Sequence, residues 1–219
     1  MKRFLALFLI LLLALLLAGC TTISRMEGEQ VVNERLVVQV SSAWNQVNDR
    51  WETDPYATWT QEGIPLDHLR LWGGVHPGQP LMIRPVVFTR APDARQPRVP
   101  TFRAGLTPEK LVSLFEELYA TAGSVTITQV DRTVFAGQRG VRFEFSLARR
   151  RDGLTMRGVG WVAVRPDPVV GEELFAATFV APRLSFYERL LPMAEAVVQT
   201  ARIKDVEARP RPEAATAFD

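Results

Sequence analysis

Between positions 141 and 148 the side chains alternate: Val141, Phe143, Phe145 and Leu147 are interleaved with Arg142, Glu144, Ser146 and Ala148. Successive residues of a strand point to opposite faces, so this period of two demands a sheet with one packed face and one wetted face. Arg149-Arg150-Arg151-Asp152-Gly153 follows as a hairpin tip, with Asp-Gly as its turn signal, and residues 155–164 return. Residues 124–135, rich in Val, Ile and Thr, precede this hairpin as a strand. Residues 173–181 follow Pro166-Asp167-Pro168 as another. The core of the fold is therefore a four-strand meander.

Upstream, residues 36–40 read as a short strand leading to Trp44. Residues 57–61 and 66–72 read as two strands joined at Glu62-Gly63. In the second, Leu69 and Leu71 share one face and His68, Arg70 and Trp72 the other. Residues 81–88 are expected to be an edge strand interrupted by Pro85, and residues 91–100 a proline-rich loop. The clearest helix spans 108–122. Thr107 suits the N-cap, Pro108 the first position, and Glu109 the positive end of the dipole. Leu111, Leu114, Phe115, Leu118 and Tyr119 form its buried stripe, and Gly123 is expected to end it as a left-handed cap. A second helix is expected over 185–201, with Pro192 starting a new turn or kinking it. Strands, helix, meander, helix makes an α+β class: an antiparallel sheet flanked by helices.

The N-terminus points to location. Lys2 and Arg3 precede fourteen residues, 4–17, drawn only from Phe, Leu, Ala and Ile. That run is shorter than the roughly 20 residues of a spanning helix and fits the core of a cleavable export signal. Leu17-Ala18-Gly19-Cys20 closes it with the only cysteine in the chain. These four residues resemble the lipobox of bacterial lipoproteins, which implies cleavage after residue 19 and acylation of Cys20. The lipid-attachment site is therefore Cys20, and the implied partner is a bilayer. Residues 1–19 are read as the signal, 20–30 as a polar tether, 31–205 as one globular domain and 206–219 as a disordered tail. Thr21 after the cysteine resembles the pattern sent to an outer membrane, facing the periplasm.

Removing the signal leaves 200 residues, enough for one well-filled core, with 24 basic and 24 acidic side chains. That balance argues against a general nucleic-acid binder. With one cysteine no intramolecular disulfide forms, so packing alone holds the fold.

The chain resembles the PsbP-like group of α/β/α sandwiches, which includes bacterial lipoproteins of the DcrB type. The residues that carry this are Ser42-Ala43-Trp44, Leu106-Thr107-Pro108, Gly137-Gln138-Arg139-Gly140 before the alternating strand, and Phe179-Val180-Ala181-Pro182 before the last helix. The resemblance implies an interaction or assembly module and transfers no catalytic residues.

His68, His76 and Asp67 lack a third histidine or metal-ligand spacing, so no metal is expected and the histidines are read as a surface strand residue and a loop residue. No Gly-x-Ser-x-Gly or Ser-x-x-Lys occurs. Gly158-Val159-Gly160 sits within a strand and is no nucleotide loop. Two surfaces stand out: the glycine-rich run Trp72-Gly73-Gly74-Val75-His76-Pro77-Gly78, which suits close backbone approach to a ligand or equally a tight turn, and the Arg149-Arg150-Arg151 tip, which reads first as a solvated hairpin end and otherwise as a contact for anionic head groups or lipopolysaccharide. The expectation is a non-enzymatic envelope lipoprotein that binds or assembles with a partner and needs no cofactor. The competing readings are an envelope hydrolase acting on lipid or cell-wall fragments and a carrier of a small apolar ligand.

Overall fold

A computed structural model describes residues 22–48, 55–82 and 99–204. In chain order the elements are β1 (Thr22–Val32), β2 (Leu36–Asn48), β3 (Tyr56–Thr60), β4 (His68–Val75), α1 (Pro108–Ala120) and β5 (Gly123–Phe135). They continue with β6 (Gln138–Arg149), β7 (Thr155–Asp167), β8 (Gly171–Pro182), α2 (Tyr187–Gln199) and β9 (Arg202–Ile203). All strands pair antiparallel, in the order β1-β2-β3-β4-β8-β7-β6-β5, with β9 on β2. The α+β class stands. The sheet dominates, and the three-layer sandwich is only roughly realised by one helix on each face.

The two helices bury different residues of the same strands. On β8, Leu174, Ala176 and Val180 pack with Leu111, Phe115 and Tyr119 of α1, while Phe175, Ala177 and Phe179 pack with Tyr187, Leu190 and Ala194 of α2. β8 is thus apolar on both sides, as a central strand must be. β6 keeps the expected alternation, with Val141, Phe143, Phe145 and Leu147 buried under α1.

Four expectations are corrected. Residues 22–30 are no tether: they lie in β1, an edge strand whose Thr22 pairs with Asn48 and Val32 with Leu36. Its polar side chains hid it, because an edge strand with charges on it shows no clean alternation. Gly123 is not a helix cap either. The helix ends at Thr121 in ordinary helical conformation, and Gly123 opens β5, where a Cβ would sit 2.1 Å from the Ala148 carbonyl oxygen. Thr107 is the N-cap residue but makes no side-chain capping bond to the backbone. Residues 81–82, the described part of the expected 81–88 strand, are not in a strand. The rest of that segment, most of the 91–100 loop, the signal, Cys20 and the 206–219 tail lie outside the described residues. α2 stays helical through Pro192.

Candidate binding groove

α2 runs over β8 and β2, which leaves the same face of β6 and β5 beyond its cover. A groove of about 330 Å³ opens there. Ala136, Trp161 and Val198 supply its apolar lining, with Val134 standing 68% exposed at one wall. Arg142 and Glu195 supply its charge, 3.6 Å apart. The Arg142 guanidinium lies 5.8 Å from the Trp161 ring centroid and donates to Glu144 at 2.8 Å. Arg157 holds the other Glu144 oxygen at 2.9 Å and reaches Glu188 at 2.7 Å. Burial raises the Glu144 pKa, but hydrogen bonds from Arg157 and Arg142 outweigh it and bring the net value below the usual carboxylate range. These are the polar residues that alternate along β6. They face α2 and the groove, where the sequence placed open solvent.

The histidines and Asp67 are not brought together. His68 opens β4 and His76 lies just past its end, eight residues of strand or roughly 26 Å apart. Asp67 is buried and fully spent on the β3–β4 turn: it accepts from the Thr60 hydroxyl at 2.9 Å and the Gln61 and Glu62 amides at 2.8 and 2.7 Å. Among the described residues no three His, Cys, Asp or Glu side chains cluster as metal ligands.

His68 is not a surface residue. As a whole it is half-buried, yet both ring nitrogens are sealed and make no hydrogen bond. α1 covers this second face of β4, and the His68 ring stacks on Tyr119 with centroids 6.1 Å apart. Tyr119 shares a 2.6 Å hydrogen bond with Thr178, and the Arg70 guanidinium lies over Tyr56 at 4.8 Å and Tyr119 at 6.0 Å. Burial, and then the nearby Arg70 and Arg149 charges, hold the His68 pKa well below its ordinary value.

The glycine-rich run does not cradle a ligand. A Cβ on Gly73 would meet the Val32 carbonyl oxygen at 2.4 Å, and Gly74, at φ +72°, meets the Arg35 side chain. Both make room for the β1–β2 turn. There Arg35 pairs with buried Glu173 through two hydrogen bonds, the Nε bond being 2.9 Å, and donates to the Lys204 carbonyl at 2.8 Å. Arg165 approaches the same carboxylate at 3.3 Å and His76 at 3.7 Å. Of the arginine tip, Arg149 is engaged by Asp152 at 2.6 Å and the Pro65 carbonyl at 2.6 Å, while Arg150 and Arg151 are exposed.

The sequence reading missed the groove. Arg142 and Glu144 carried its only signal, since a charged pair on a strand flanked by phenylalanines is equally what a solvated face shows.

No protein-family model and no curated protein matches the sequence. Among solved structures the chain is similar to cyanobacterial PsbP (CyanoP) from Synechocystis sp. PCC 6803, with 8% identity and a TM-score of 0.48, covering 85% of this chain and 95% of that one. It is also similar to LpqN of Mycobacterium tuberculosis, described as involved in cell envelope biogenesis, with 9% identity and a TM-score of 0.39, covering 86% and 88%. The PsbP-like likeness expected from the sequence is thus found among solved structures. At these identities and scores it carries no argument about activity.

Proposed function

We propose that this chain is a lipid-anchored protein of the cell envelope, facing the periplasm from the outer membrane, whose domain binds a protein partner and catalyses nothing. The observation that carries the binding part is the chemistry of the groove. Trp161, Ala136 and Val198 offer apolar area beside Arg142, whose charge is already answered by Glu144 and Glu195. Such a lining suits an aromatic or aliphatic side chain with a polar rim. Its charged groups are locked in ion pairs, which favours docking over hydrolysis. The open mixed lining likewise favours a docking partner over a carried apolar ligand, which calls for a mostly apolar enclosure.

The location rests on Cys20 and the run before it. With β1 starting at Thr22, only Thr21 separates the acylated cysteine from the sheet, so the domain rides against the bilayer instead of on a leash. Palmitate labelling of growing cells tests the anchor: the native chain should be labelled and Cys20→Ala should not. A native mature chain without label refutes it. A photo-crosslinking residue at Val134 tests the groove, with Val169 on the β7–β8 turn as control. A partner captured from 134, not from 169, and lost with Trp161→Arg is expected. Equal capture from both positions, or turnover of an envelope substrate by the purified domain, rejects the reading.

A further inference from the structure

Three turns meet at one end of the sheet. The β3–β4 turn carries Ile64, 40% exposed; the β6–β7 tip carries Leu154, 36% exposed; the β8–α2 turn carries Leu184, 74% exposed. They are tied side by side. Arg149 donates to the Pro65 carbonyl at 2.6 Å, the Arg183 amide donates to the Thr155 carbonyl at 3.1 Å, and Arg189 reaches Glu62 at 2.6 Å. Ser185, next to Leu184, holds a left-handed backbone at φ +73°, a conformation that costs a non-glycine residue energy and turns the chain sharply there.

The charge around these apolar tips is net positive, because the carboxylates there are paired and some arginines are not. Of the carboxylates in the β3–β4 turn and the tip, Glu62 and Asp152 are held by Arg189 and Arg149, and buried Asp67 is held by the Thr60 hydroxyl and the Gln61 and Glu62 amides. On α2, Glu188 is held by Arg157. Arg150 and Arg183 are exposed with no ion pair among the described residues, and Arg151 has only a 3.6 Å contact to Asp152. Apolar side chains on separate turns, fringed by surplus arginines, match the two layers of an anionic membrane surface: head-group charge outside, acyl chain beneath.

We propose that this end of the sheet is a bilayer-contact surface, which seats Ile64, Leu154 and Leu184 among anionic lipid head groups with Arg150, Arg151 and Arg183 on their phosphates. The strand leading from the N-terminus passes the same end: Arg25 of β1 pairs across from Asn45, and Asn45 from Thr60. The surface stands apart from the Cys20 reading, since it needs no acyl chain.

The test uses residues 22–204, which contain both hydrophobic cores, sedimented with vesicles of equal parts phosphatidylglycerol and phosphatidylcholine or of phosphatidylcholine alone. Binding is expected to the first at low salt, to fall steeply as salt is raised, and to be weak on the second. Each arginine near an anionic surface is worth about fivefold in partition, so Arg150→Ala with Arg151→Ala should lower it about 25-fold. Leu184→Glu should lower it at least tenfold, and Val169→Glu, at an 89% exposed site on the opposite end, should leave it unchanged. Tryptophan fluorescence confirms that each variant is folded. No binding to the anionic vesicles overturns the proposal, in favour of a protein partner for this end. So does binding indifferent to Leu184→Glu, which would be charge attraction without insertion.

Discussion

His68 should make this domain lose stability in mild acid, well before its carboxylates respond. In the unfolded chain the imidazole takes up a proton near its ordinary value of 6.5, whereas in the folded chain burial keeps it neutral far below that. The unfolded state therefore binds more protons as pH falls through 6.5, and stability drops with it; above 6.5 the contribution is complete. The slope is about 1.4 kcal/mol per pH unit, so about 1.4 kcal/mol should be lost between pH 7.5 and 5.5. Urea unfolding followed by the buried Trp44, Trp59 and Trp72 at several pH values measures it directly. His68→Phe keeps a ring against Tyr119 and removes both sealed nitrogens. Its stability should be flatter over this window by that amount, and higher at pH 5.5. Equal slopes would refute the claim that His68 is held neutral by its surroundings.

Two further outcomes follow from the packing. Glu173→Ala strands the buried Arg35 charge and should cost about 3–5 kcal/mol in urea unfolding, while Arg35→Met with Glu173→Leu recovers most of it. Gly158→Val places a Cβ 2.2 Å from the Phe145 ring and should cost at least about 1–3 kcal/mol; adding Phe145→Leu should return part of it.

What was legible in the sequence was what packing repeats. α1 announced itself through five stripe residues, a proline and a capping position that agree, and Val141 to Leu147 announced β6. What stayed hidden depends on a second element that no local pattern reports. The His68, Arg70 and Trp72 face of β4 looked wet until α1 covered it. The purpose of the glycines at 73 and 74 was hidden because the β1–β2 turn that fills their space lies about 40 residues upstream. β1 was misread because its charges, among them Arg25, Glu27 and Glu29, protect an edge and erase the period. The purpose of Gly158 and Gly160, to seat the Phe145 and Phe143 rings across the pair, appears only in the register.

β9 pairs Ile203 with Leu36 and Arg202 with Val37, and the Lys204 amide donates to the Arg35 carbonyl at 2.7 Å. The opening hairpin is thus completed by nearly the last residues of the body. A ribosome adding about 5–20 residues per second makes that hairpin wait on the order of ten seconds or more for its closing partner. Through that interval Leu36 and Val38 have no finished home, and the nascent chain stays pliant. Removing β9 should leave the β1–β2 hairpin without its last partner strand and lower the stability of the domain.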